Sequence, residues 1–141
     1  MKKISISETK KILNKIWPGI ERVPTDRDFY IPQLNWLMDQ LRQLHPEMPN
    51  HKPNKFACEE SAFGSWFLLH RHRTLLSEQE VIEDADLNIH YGVLWGTSFK
   101  NAIASHYNNF SITTNGLYII DFESLQSWKP GQQDNAHWSF E

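Results

Sequence analysis

The stretch Asn54-Lys55-Phe56-Ala57-Cys58-Glu59-Glu60-Ser61-Ala62-Phe63-Gly64-Ser65-Trp66-Phe67-Leu68-Leu69-His70 has the spacing of a helix and carries the only cysteine of the 141-residue chain. A thiol in a first helical turn feels unpaired backbone N–H groups and the positive end of the helix dipole, both of which favour the thiolate. Ala62, Trp66 and Leu69 continue its face at helical steps, so the sulfur is directed along the core side. Against the reading as a nucleophile stands the commoner role of a lone cysteine, a small buried hydrophobe.

Working outward from this helix, His70-Arg71-His72-Arg73 places cations where a helix C-terminus favours them, and two histidines two apart on a helix face different ways, so no metal site is read there. Upstream, Pro46, Pro49 and Pro53 make a loop, and before it Leu34, Leu37, Met38, Leu41 and Leu44 form an amphipathic helix. Arg22 to Pro32 reads as an extended surface segment. Ser7 to Trp17 reads as a helix capped by Ser7 and stopped by Pro18-Gly19.

Downstream the period changes. Asn88 to Gly96 reads as a strand, and His106 to Thr113 and Leu117 to Phe122 as a hairpin about Asn115-Gly116. Helices first and strands afterwards predict an α+β fold, with N-terminal helices packed on one face of a small antiparallel sheet. One domain spans 1–141, with 1–25 as an N-terminal helical extension and 129–141 as a C-terminal tail.

The composition, 40% hydrophobic, 13% aromatic and 22% charged, is that of a folded globule. A formal net charge of −3 offers no general attraction to nucleic acid or anionic membranes, and Lys2, Lys3, Lys10, Lys11 and Lys15 read as a solvated helix face. A single cysteine excludes an internal disulfide, and no Cys/His set has zinc spacing. With no signal-peptide pattern and no run near the roughly 20 apolar residues of a membrane span, a cytoplasmic location is expected.

The hairpin supplies partners for the thiol. Folding about Asn115-Gly116 places Asp121 opposite position 108 to 110, a same-face neighbour of His106. If the hairpin packs against the start of the cysteine helix, Cys58, His106 and Asp121 stand as nucleophile, base and orienting acid, a papain arrangement.

The residues that carry this arrangement resemble the papain-like domain of a mushroom agglutinin C-terminus and of related short bacterial and phage proteins. The shared marks are Phe56-Ala57-Cys58-Glu59-Glu60-Ser61-Ala62, His106-Tyr107-Asn108-Asn109, Asn115 to Asp121, and Gly92-Val93-Leu94-Trp95-Gly96. The family has Asp-Asp where Glu59-Glu60 stands, alanine where Tyr107 stands, and Glu-Pro-Gln where Asp121-Phe122-Glu123 stands. The resemblance implies a cysteine hydrolase that cleaves a peptide or amide bond through Cys58, His106 and Asp121. Its partner would be a protein or peptide substrate, and neither nucleic acid nor membrane is expected to bind.

Tyr30, Asn54 and Trp95 are the expected substrate-binding residues, and Asn54 or Asn50 would join the Cys58 N–H in holding an oxyanion. No cofactor or metal site is read from the residues. By resemblance alone, calcium is implied, with Glu59, Glu60 or Glu123 as ligands. The alternative is a binding module or inhibitor on the same scaffold that has no turnover, since fold does not establish activity.

Overall fold

The computed structural model describes residues 1–25, 27–49 and 57–141. Strand β1 (Lys2–Ser5) runs directly into helix α1 (Ile6–Ile16), followed by β2 (Glu21–Val23) and β3 (Asp28–Ile31). Helix α2 (Leu34–Leu44) ends in a 3-10 turn at His45–Glu47, and α3 (Cys58–Glu78) is followed by a second such turn at Asp84–Asn88. Strands β4 (Gly92–Ser98), β5 (His106–Thr113), β6 (Gly116–Asp121), β7 (Gln126–Trp128) and β8 (Asn135–Phe140) complete the chain.

Local chemistry sets several boundaries. The cap of α1 is Ser5 and not Ser7, because Glu8 at the third helical position donates its amide to the Ser5 hydroxyl while its carboxylate accepts from the Ser5 N–H at 2.6 Å. The β5–β6 loop is Thr114-Asn115, with Gly116 opening β6 at φ +110, a conformation that favours glycine. Helix α3 continues through His70 to Arg73, which therefore lie inside it. Arg73 is buried, stacked 4.6 Å over the Trp36 ring of α2, and its Nε donates to the Asp86 carbonyl.

Strands β1 and β3 form a two-stranded antiparallel sheet, and the main sheet has six strands in the order β2-β8-β4-β5-β6-β7. All its neighbours are antiparallel except β2 and β8, which pair in parallel. Its two faces bury different clusters. Leu13 of α1 and Trp17 just after it pack with Leu94, Phe110, Ile112, Leu117 and Ile119 on one side. Leu37 and Leu41 of α2 and Leu69 of α3 pack with Ile120 and Phe122 on the other. Alternation along β6 sends Leu117 and Ile119 one way and Ile120 the other.

The expected papain-like arrangement, helices on one face of a small antiparallel sheet, is corrected here. Among the described residues there are eight strands and three α-helices, the main sheet is mixed, and helices pack on both of its faces. The physical reason is that β5 is buried at every position from Asn108 to Thr113, so neither of its faces can be left to solvent. The segment expected as a tail, 129–141, contains β8, an interior strand of the main sheet.

The end of β8 is held by charge. Glu141 is buried and ion-pairs with Arg22, while its other carboxylate oxygen lies 3.5 Å from Nε2 of buried His90. Nδ1 of His90 accepts from the Ile112 N–H at 2.9 Å, which leaves the ring proton on Nε2 and the imidazole neutral. Burial first, then the nearby Arg22 cation, pushes its pKa down to about 3 from 6.5. Arg22 also offsets the Glu141 charge that would otherwise favour the imidazolium.

Because the folded value lies below the unfolded one, the unfolded chain takes up this proton first. The stability that neutral His90 confers is complete above about pH 6.5 and falls, by at most about 1.4 kcal/mol per pH unit, as the pH drops toward 3. Urea melts between pH 7 and 4 should show this decline, and His90→Gln should flatten it. Parallel slopes in the two proteins would contradict the assignment.

Candidate functional site

One buried amide ties helix α3 to β5 and β4. The Asn109 Nδ2 donates to the Ala62 carbonyl of α3 at 2.9 Å and to the Gly92 carbonyl of β4 at 3.1 Å, and its Oδ1 accepts from the Ser65 hydroxyl at 2.9 Å. With the Ser65 proton so used, Tyr91 OH donates to Ser65 Oγ at 2.9 Å. Burial drives the Tyr91 pKa far up, so the phenol stays protonated as a donor. These bonds set where the start of α3, and therefore Cys58, sits over the sheet.

Cys58 is the first residue of α3 and is half-buried. Ala57 at the cap has no polar side chain, and Glu60 instead accepts from the Ala57 N–H at 3.1 Å. Cys58, His106, Asn108 and Asp121 line one cavity of about 10 Å³, room for about a single water. The structure thus brings the three predicted triad residues to one place.

The hairpin register explains how. Asn109 pairs with Ile120, so Asp121, the last residue of β6, falls one step further along, beside Asn108 and toward His106 at the start of β5. The Asp121 carboxylate accepts from the Glu123 N–H at 3.2 Å and from the Ser124 hydroxyl at 2.8 Å, which closes the β6–β7 turn.

The predicted substrate-binding residues separate. Asn54, like Asn50, lies outside the described residues. Tyr30 sits on β3, its carbonyl accepting from the His90 N–H, and lines a groove of about 480 Å³ with Lys3 and Asp84, apart from Cys58. The reason is that β3 pairs with β1 and so is held in the small sheet.

Trp95 lies in a second groove, of about 560 Å³, with Glu21, Tyr107, His137 and Trp138. Trp95 is the Cα partner of Tyr107 on β5 and of Trp138 on β8. Residues directly opposite across antiparallel strands share a face, so the three rings make a row across the sheet. Phe63 of α3 backs the row, with ring centroids 6.0 Å from Tyr107 and 6.2 Å from Trp138.

A bulge in β8 creates the end of the row. The pairing shifts between Trp95 and Gly96, which inserts His137 as an extra residue and brings its ring to 5.8 Å from Trp95. Gly96 permits this, because a Cβ there would meet the Asn135 carbonyl and the Phe99 ring. Burial, then the charge of Glu59, then Cys58 push the Tyr107 pKa up, and because Tyr107 lines both spaces the groove and the Cys58 cavity adjoin.

Sequence reasoning missed Glu21, His137 and Trp138. Strand alternation places Tyr107 on the face of Asn109, but no local signal reveals that β8 pairs with β4. Among the described residues no group of three or more His, Cys, Asp or Glu side chains is placed to hold a metal ion.

No family model matches the sequence, and no curated protein sequence matches it. Solved structures do. One, described as the PSL1a-E64 complex, matches with a TM-score of 0.76 at 9% identity, covering 99% of this chain and 50% of that one. Another is Polyporus squamosus lectin bound to the human-type influenza-binding epitope Neu5Aca2-6Galb1-4GlcNAc, with a TM-score of 0.73 at 10% identity, covering 99% and 49%. The chain spans about half the length of each, and at this identity the likeness is one of fold.

These findings correct the assignment to a papain-like cysteine protease family. Neither description names a protease, one names a lectin, and no family model supports the motif match. The reading as a thiol hydrolase, and that of a protein or peptide substrate, are withdrawn with it, since the ligand named for the lectin is a carbohydrate epitope. Cys58, His106 and Asp121 mark where three elements converge, and convergence alone does not establish turnover.

Asn109→Ala removes donors to two carbonyls and an acceptor for Ser65. It should destabilise the protein by about 1–3 kcal/mol for each buried group left unpaired, whereas exposed Asn115→Ala should change little. Matching urea midpoints for the two variants would show that α3 is docked by other contacts.

Proposed function

We propose that the chain is a binding module that holds a carbohydrate in the groove over Trp95, Tyr107 and Trp138. The observation that carries this reading is the cross-strand aromatic row, rimmed by exposed Glu21 and His137. Sugars present apolar C–H faces that stack on aromatic rings and hydroxyls that need hydrogen-bonding groups at the edge, and the groove offers both kinds of surface. The lectin among the structural neighbours adds support, since its described ligand is a glycan.

Cys58, His106 and Asp121 are proposed as a second, smaller ligand-contacting cluster beside this groove. Their shared cavity supports it, and the neighbour solved in complex with E64 supplies the probe. No helix of the described residues is long and apolar enough to cross a membrane. A cytoplasmic location is part of the proposal, supported by the single free cysteine.

Calorimetric titration with Galb1-4GlcNAc, the unsialylated part of the epitope named for the lectin, tests the main reading. The parent should bind, and Trp95→Ala should weaken binding by about tenfold or more while keeping the parent circular dichroism spectrum. Calorimetry and intact mass with the E64 compound should show binding that Cys58→Ala loses. Absence of glycan binding, together with peptide hydrolysis that Cys58→Ala abolishes, would overturn the binding-module reading.

A further inference from the structure

The aromatic groove continues into a second depression. Gly19 and His137 belong to the walls of both, and beyond them a hollow of about 400 Å³ is lined by Ser98, Gln132, Asp134 and Asn135 among others. The first half is aromatic, the second sets Ser98, Gln132, Asp134 and Asn135 beside apolar Trp17 and Ile20, and the two meet at the β8 bulge that carries His137. A single sugar ring fills one half only, whereas a chain of several rings stacks on the tryptophans and then runs into a region of amide and hydroxyl groups.

Charge selects among such chains. Glu21 stands at the edge of the first half and Asp134 in the second, and among the described residues that line either half there is no lysine or arginine. Asp134 is itself committed: its carboxylate accepts from the Lys100, Trp128 and Gly131 N–H groups. His137 has its Nε2 on the Thr97 hydroxyl at 3.0 Å. A carboxylate-bearing sugar entering this groove loses hydration and meets acids in place of a cation.

Resting on the carbohydrate reading, we infer that the continuous groove takes a neutral oligosaccharide and discriminates against a sialylated one. This chain would then differ in ligand class from the lectin neighbour, whose described epitope carries sialic acid.

The probes are Galb1-4GlcNAc, its tandem repeat, and Neu5Aca2-6Galb1-4GlcNAc, each titrated into the whole chain by calorimetry. The tandem repeat should bind about tenfold tighter than the disaccharide, because it engages the second half. The sialylated form should bind more weakly than the disaccharide, and equal affinity for the two would overturn the inference. Glu21→Lys, checked for an unchanged melting curve, should move the preference toward the sialylated form by about tenfold at low salt, an effect that added salt reduces. Preference of the parent for the sialylated form, or equal affinity for the disaccharide and its repeat, would overturn the inference and leave the carbohydrate reading intact. Failure of all three to bind would overturn both.

Discussion

The Asn109 amide is the constraint on which the rest of the structure depends. It sits where β5, β4 and α3 meet, and all of its hydrogen-bonding capacity named above is spent on joining them. A buried amide without partners costs more than its bonds gain, so this residue admits one placement of α3 over the sheet. Everything on that face follows from it. Phe63 reaches Tyr107 and Trp138, Trp66 reaches Phe140 at 5.0 Å, and Cys58 arrives beside His106 and Asp121.

The aromatic row needs a second condition, the seating of β8. That strand is held on one side by the bulged pairing with β4 and on the other by β2, and Glu141, the residue after it, ion-pairs with Arg22. Gly92 and Gly96 let β8 come close, since a Cβ at either would strike its backbone. Desolvation offsets most of the attraction between two buried charges, so the ion pair adds little net stability. The position of Trp138 against Trp95 is set by its strand pairing with β4 and β2.

The local features of this fold were legible in the sequence and its long-range features were not. Asn115-Gly116 announces the hairpin, Pro18-Gly19 the end of α1, and the apolar steps through Ala62, Trp66 and Leu69 a helix with Cys58 in its first turn. Strand parity and the turn put Asp121 opposite position 108 to 110. By contrast, nothing within residues 129–141 says that they enter a sheet, because β8 gains its partners from Glu21–Val23 and Gly92–Ser98, which are distant in the chain. The covering of both sheet faces is hidden for a related reason: in β5, Asn109 and Ser111 occupy buried positions on one face and read as polar. The three-residue motif was visible and chemically suggestive, yet the groove that dominates this surface rests on Trp138 and His137, which the same reading left in a tail.

The central claim is that the row Trp95, Tyr107 and Trp138 is where ligand contacts the protein. Two-dimensional ¹H–¹⁵N spectra of the labelled chain during titration with Galb1-4GlcNAc test it most directly, because indole and amide signals report each position separately. Shifts should concentrate on the Trp95 and Trp138 indoles and the Tyr107 and His137 amides. Shifts confined to Cys58, Asn108 and Asp121, with the two indoles unmoved, would contradict it.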